Sequence, residues 1–205
     1  MRGALRERTD EGKLIAAAQR GSLDAFNELV LAYQDQVYNV AYRIMGDPAS
    51  ASDAAQEAFI SAFQHIDSFR GKHPSSFKSW LMRIVSNACY DELRRHKRRP
   101  ATSIEEFEID EEANPALVSE TELPEEYAQR EEMARAIQAG ILTLPADQRV
   151  ALVLSDVRGY SYQEIAEMID APLGTVKSRL ARARGRLRDY LRDQGELLPV
   201  EYRLS

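Results

Sequence analysis

Hydrophobic positions along the chain recur at spacings of three and four. Leu14, Ile15 and Ala18, then Phe26, Leu29, Val30, Tyr33, Val37, Val40, Ala41 and Ile44 form one such stripe. That spacing puts apolar side chains on one face of a helix. Gly46 ends the stripe, and Asp47-Pro48 opens the next helix, with Asp as cap and Pro at the first helical position. Ala55, Phe59, Ala62, Phe63 and Ile66 continue the apolar face, and residues 70–76 read as a polar loop. Phe77, Trp80, Leu81, Ile84, Val85 and Ala88 then predict a helix that runs to Pro100. Further on, Met133, Ile137, Ile141 and Leu142 line a helix stopped by Leu144-Pro145. Val150, Leu152, Val153 and Val157 line another, stopped by Gly159, and two more follow. No alternating Val/Ile/Thr run is bounded by Asn-Gly or Asp-Gly, so strands are not expected. The fold class predicted is all-α.

Charge divides this helical pattern in two. Net charge is −6, which argues against nucleic acid as a partner if taken as an average. Between Ser103 and Glu132, however, twelve carboxylates face a single base, Arg130, so the remainder of the chain is net positive by five. The same stretch contains Pro115 and Pro124 and follows Pro100. Proline removes a donor and restricts its predecessor, which disfavours continuous helix. Two small helical domains are therefore expected, at 10–99 and 129–195, joined by a flexible acidic linker at 100–128.

Composition closes off several function classes. At 205 residues, 44% hydrophobic and 29% charged, the chain is neither fibrous nor wholly disordered. No stretch approaches the roughly 20 apolar residues that span a bilayer, and the charged N-terminus has no apolar core of a secretory signal. The single cysteine, Cys89, excludes an internal disulfide, and His65, His73 and His96 are too scattered for a metal cage. A cytoplasmic protein without membrane insertion, metal or cofactor is expected.

The second domain ends in a helix-turn-helix pattern. Ser161-Tyr162-Gln163-Glu164 is a capping box. Ile165, Ala166, Met168 and Ile169 make a short helix, residues 170–174 a tight turn, and Thr175 opens the last helix. Val176, Leu180, Ala183 and Leu187 share one face of it. Lys177, Ser178, Ala181, Arg182, Gly185 and Arg188 occupy the opposite face. Seven bases and one acid, Asp189, lie between Lys177 and Arg192. Such a helix suits a major groove, with base contacts near its N-terminus and arginines on phosphates. A solvated basic helix would have the same composition, but it leaves the capped helix and short turn before it unexplained.

The first domain offers a second basic face. Residues 94–99 are five bases and a histidine, and Arg83, Asn87, Asp91 and Arg94 lie along one side of the helix before them. Lys72, Lys78, Phe69, Phe77 and Trp80 cluster around the preceding loop. Aromatics interleaved with bases suit unstacked single-stranded bases; ordinary core packing is the competing role for Phe77 and Trp80. Two basic faces on one tether suit bipartite DNA recognition, in which two weak contacts gain from effective concentration when the span fits.

Four segments in this order resemble the bacterial sigma factors of the extracytoplasmic-function (ECF) type, in the sigma-70 family. They are residues 53–63, then 69–71 with 77–84, then 144–149 with 159–166, and last 173–184. The resemblance runs from about Leu14 to Leu191. It implies a promoter-specificity subunit with no catalytic centre, which binds core RNA polymerase and directs initiation at −35 and −10 elements. Asp53, Gln56, Glu57, Phe59, Ile60 and Phe63 would meet the clamp of the largest polymerase subunit, and the polymerase flap is a further implied contact. Phe77, Lys78, Trp80, Arg83, Asn87, Arg94 and Arg95 would read and melt the −10 element, the 71–77 loop holding a flipped base. Tyr162, Thr175, Lys177, Ser178, Arg179, Arg182 and Arg184 would serve the −35 element. The linker would thread along the route of nascent RNA, where its carboxylates mimic RNA phosphate. An anti-sigma factor is a further implied partner.

Two other classes compete. A stand-alone helix-turn-helix regulator would share the second domain but would not need residues 53–63. A nuclease would need a carboxylate or metal cluster in a cleft; Asp53 and Glu57 form a helical pair that no further acid or histidine joins.

Overall fold

The apolar stripes fold as helices packed by their buried faces. A computed structural model describes residues 2–71, 74–98 and 124–193, with side chains over 11–71, 77–96 and 130–193. The first unit comprises α1 (Arg2–Gln19), α2 (Leu23–Met45), α3 (Pro48–His65) and α4 (Pro74–Arg98), with a 3₁₀ turn, Ile66–Ser68, after α3. The second comprises α5 (Pro124–Leu142), α6 (Ala146–Leu152), a wide π-helical segment at Val153–Val157, α7 (Tyr162–Met168) and α8 (Leu173–Asp193). No strand occurs among the described residues. Helix α5 begins at Pro124, inside the 100–128 segment expected as linker, because proline is well tolerated at the first turn of a helix. The rest of the expected linker, including the carboxylates from Glu105 to Glu122 expected to mimic RNA phosphate, lies outside the described residues.

Local chemistry sets the helix ends. Ser22 caps α2 by accepting from Ala25 N at 3.3 Å. Asp47 Oδ1 accepts from Ser50 N at 2.7 Å, and Pro48 occupies the first turn of α3. The predicted capping box is formed: Ser161 N donates to Glu164 Oε2 at 2.8 Å, and Glu164 N donates to Ser161 Oγ at 3.3 Å. A cap of this kind contributes about 1 kcal/mol. The turn into α8 passes through Asp170, the one non-glycine residue with positive φ (48°) among those described. It starts α8 at Leu173, two residues before the expected Thr175.

Small residues control how closely the helices approach. Helix α3 buries Ala51, Ala54, Ala55, Ala58 and Ala62. This flat face lets α2 and α4 lie close against it, and each contributes larger groups: Leu29, Val37 and Ile44 from α2, Phe77, Leu81 and Met82 from α4. In the second unit, Ile141, Leu152, Leu154, Ile165 and Leu180 are fully buried. Each such side chain is worth roughly 1.5–3 kcal/mol of transfer free energy. Nearly all buried apolar residues of both units belong to one continuous core. Cys89 lies within it, and burial pushes its thiol up to about 12.

Candidate nucleic-acid interface

Helices α7 and α8 form the helix-turn-helix. Val176, Leu180 and Ala183 are buried against the rest of the unit, with Ile165, Ala166 and Met168 from α7. Lys177, Ser178 and Arg182 are therefore turned outwards and are exposed. Arg182 is held along the helix: its Nε donates to Ser178 O at 3.1 Å and its Nη2 to Ser178 Oγ at 3.2 Å. Ser178 Oγ in turn donates to the carbonyl of the half-buried Thr175 at 2.9 Å. These three residues form a small polar surface with one arginine and one lysine free of carboxylate partners in the hydrogen-bond and ion-pair network described.

Two other arginines of α8 are engaged within the protein. Arg179 pairs with Asp147 of α6 at 3.1 Å. Arg184 forks onto Asp156, with Nε to Oδ2 at 2.9 Å and Nη2 to Oδ1 at 2.6 Å, and donates from Nη1 to Tyr162 Oη at 2.8 Å. The Arg184 hydrogen bond holds Asp156 below the usual carboxylate range. Arg184 and Tyr162 thus tie the π-helical segment and α7 to α8. Both were expected near phosphates; in the fold they brace α8 as well, and Arg184 stays exposed. Asp156 lies 28 residues from Arg184, a distance that no periodicity reports.

Helix α4 carries the second basic face. Arg83, Asn87, Arg94 and Arg95 are exposed and Lys78 is half-buried. Arg94 lies over the Tyr90 ring at 5.6 Å, and Arg95 pairs with Glu92 at 3.0 Å and Glu57 at 3.7 Å. Phe77 is buried, 1% exposed, and its ring sits 5.5 Å from Phe69, 5.6 Å from Trp80 and 5.6 Å from Tyr33. The core-packing role therefore describes Phe77 as it stands, and its ring supports the half-buried Trp80. Sequence reasoning missed Gln19: its Nε2 donates to Ile66 O at 3.1 Å and Phe69 O at 2.9 Å, fixing the chain ahead of α4. That helix begins at Pro74, three residues before the expected Phe77, because proline suits a first helical turn. Lys72 and His73 lie outside the described residues.

On α3, Asp53, Gln56 and Glu57 are exposed and Phe59 is half-buried. Ile60 and Phe63 are large apolar side chains left 52% and 39% exposed, and Leu31 of α2 is 63% exposed. Between α2 and α3 runs an open groove of about 570 Å³, lined by Val30, Asp35, Tyr38, Gln56, Phe59 and Ile60 among others. The share of α2 in this surface was not foreseen. Leu31 falls off the buried stripe, and an apolar residue off the stripe was the available signal.

No group of three or more metal-ligating side chains occurs among the described residues, and no described helix is long and apolar enough to cross a membrane.

Comparison with known proteins follows the same division. Residues 29–99 match Sigma-70 region 2, and residues 134–187 match Sigma-70, region 4. The chain is 40% identical over 174 residues to the RNA polymerase sigma-H factor of Pseudomonas aeruginosa, covering 84% of this chain and 89% of that one. It is 36% identical over 189 residues to the ECF RNA polymerase sigma factor SigW of Bacillus subtilis, covering 88% and 96%. Among solved structures, it is similar to the sigma factor RpoE in complex with the anti-sigma factor NepR from Bartonella quintana. There the TM-score is 0.62, with 27% identity over 83% of this chain and 98% of that one. It is also similar to CnrH in complex with the cytosolic domain of CnrY, with TM-score 0.59, 25% identity, and coverage of 90% and 98%. The chain belongs to the ECF RNA polymerase sigma factors of the sigma-70 family.

Proposed function

We propose that this chain is a promoter-specificity subunit of RNA polymerase. It binds the core enzyme through the α2–α3 surface and places α4 on the −10 element and α8 on the −35 element. The stretch 10–99 acts as the polymerase-binding and −10 domain, and 129–195 as the −35 domain. Lys177, Ser178 and Arg182 read base edges in the major groove, and Arg83, Asn87 and Arg94 face the −10 element. Trp80, supported by Phe77, flanks the melted bases. The chain supplies no catalytic residues, acts in the cytoplasm with the polymerase, and is held by an anti-sigma factor when its regulon is silent.

The observation that carries this proposal is the exposed apolar pair Ile60 and Phe63 beside the α2–α3 groove. A stand-alone helix-turn-helix regulator has no use for such a surface, whereas exposed apolar patches rimmed by polar groups mark protein interfaces. The nearby carboxylates Asp53 and Glu57 add an acidic edge. Aromatic side chains of this kind are frequent hot spots, worth 2 kcal/mol or more (roughly thirtyfold in affinity). Copurification with core polymerase tests it. The wild-type chain is expected to copurify, and Ile60→Asp is expected to lose at least tenfold in affinity while its helical content is kept. Equal retention of both proteins would remove the α2–α3 surface from the interface.

A further inference from the structure

Helix α1 packs on α2, on the 3₁₀ turn and on α4, with Ile15 and Ala18 buried. Two of its polar side chains do more than flank that apolar face. Gln19 Nε2 carries two hydrogens, and it has two backbone acceptors, Ile66 O at 3.1 Å and Phe69 O at 2.9 Å. Phe69 N also donates to Ile66 O, at 3.1 Å. One amide therefore holds the first carbonyl of a tight turn and the carbonyl of the residue that closes it. Just over two turns earlier, about 12 Å along α1, Glu11 Oε1 accepts from Tyr33 Oη at 2.5 Å. Burial first, then this bond, push the Tyr33 phenol above its ordinary range, so it remains a donor at neutral pH.

Between these two anchors runs a cluster of four rings. Tyr33 lies 5.6 Å from Phe77, Phe77 lies 5.5 Å from Phe69 at 88°, and Phe69 lies 5.4 Å from Trp80. Trp80 also meets Phe77, at 5.6 Å. Rings at such separations are in contact, and their tilted and edge-on arrangements are directional. Phe69 and Phe77 are buried, and the half-buried Trp80 is set by the two of them. In a close-packed interior one ring cannot move without its neighbours. Holding the backbone of Phe69 and the hydroxyl of Tyr33 therefore holds the plane of Trp80.

We infer that α1 is a positioning element for promoter melting: Gln19 and Glu11 pin the two ends of this ring cluster, and so set the plane that Trp80 offers to unpaired bases. This rests on the role given above for Trp80. Stacking on an aromatic side chain needs the π-face of the ring free and aligned with the base, so a tilted or loosened Trp80 loses it. In this role Gln19 and Glu11 need no contact with base or polymerase; they act through Phe69 and Tyr33. A helix that only covered the core would need Ile15 and Ala18, and its two polar anchors would matter to stability alone.

Trp80 is the only tryptophan of the chain, so its fluorescence reports on the cluster directly. Gln19→Leu keeps a side chain of similar size and removes both donors. In the free full-length variant, Trp80 emission is expected to shift to the red and its quenching by acrylamide to rise, with helical circular dichroism unchanged. With core polymerase, 2-aminopurine in the −10 non-template strand of a duplex promoter is expected to unstack about three- to tenfold more slowly, part of the worth of one stacked base. Copurification with the core is expected to stay at the wild-type level. Tyr33→Phe keeps the ring and breaks the bond to Glu11. It is expected to move both readouts the same way by less, and it decides the matter should Gln19→Leu not fold. Trp80→Ala separates the two layers of the argument. If that variant melts the promoter at the wild-type rate, the reading of Trp80 fails, and the emission of the Gln19→Leu chain still judges the positioning. If Trp80→Ala slows melting but a folded Gln19→Leu keeps wild-type emission or wild-type melting, the positioning role of α1 is overturned.

Discussion

At the scale of single residues, charge and reach separate side chains turned outwards from those engaged within the fold. Arg182 sits on the exposed face of α8 and bonds only to its own helix, at Ser178. Arg188 is exposed near the far end, 3.8 Å from Asp189. One bidentate base contact discriminates by about 1–3 kcal/mol, whereas a phosphate contact carries no sequence information. Arg182→Ala is expected to lower binding to a matched −35 site about tenfold more than to a scrambled one, and Arg188→Ala to lower both alike. Footprinting on the two templates decides it; equal losses for Arg182→Ala would assign that side chain to the backbone. Part of this division was legible from the helical wheel, which put Lys177, Ser178 and Arg182 opposite Val176, Leu180 and Ala183. The engagement of Arg184 and Arg179 was not. Their partners, Asp156 and Asp147, lie on other elements and meet them only through the tertiary fold.

At the scale of elements, apolar periodicity and caps located the helices, because burying one face is what stabilises each of them. The Asp47-Pro48 start and the Ser161–Glu164 box appear as predicted from residue type alone. The π-helical segment at Val153–Val157 had no such signal. Its apolar residues read as a continuation of α6, and the register change shows in Arg158 N donating back to Val153 O at 3.1 Å and Tyr160 N to Leu154 O at 3.0 Å. That segment carries Asp156, which docks it on α8 through Arg184. The folded-state pKa of Asp156 is depressed, first by the Arg184 hydrogen bond. Its contribution to stability is therefore present above the ordinary carboxylate pKa and is lost as pH falls through the depressed value. Asp156→Asn is expected to lower the thermal midpoint at neutral pH and to narrow its gap from wild type as the medium is acidified below about pH 4. Thermal melts of both proteins across that range measure it; a gap that stayed constant would leave the pair without a role in stability.

For the whole molecule, the sequence pattern anticipated two helical units, basic on α4 and α8, with acid between them. It did not anticipate that the units share one core. The seam is made by Gly46 under Leu142, Arg149 on Ile44 O and Gln138 on Arg43, pairs separated by about a hundred residues and invisible to local spacing. Each of those residues has an ordinary local role as well: Gly46 as a helix stop, Arg149 as a brace for its own turn. Only their meeting brings α4 and α8 into one packed body.

Run-off transcription with core polymerase on a library of promoter templates addresses the central claim most directly. With this chain added, transcripts are expected from a discrete set of templates that share one −35 and one −10 sequence at a fixed spacing, and from none of them with core enzyme alone. Transcription that stayed at the core-enzyme background on every template, or that rose with no shared sequence upstream of the start, would contradict it.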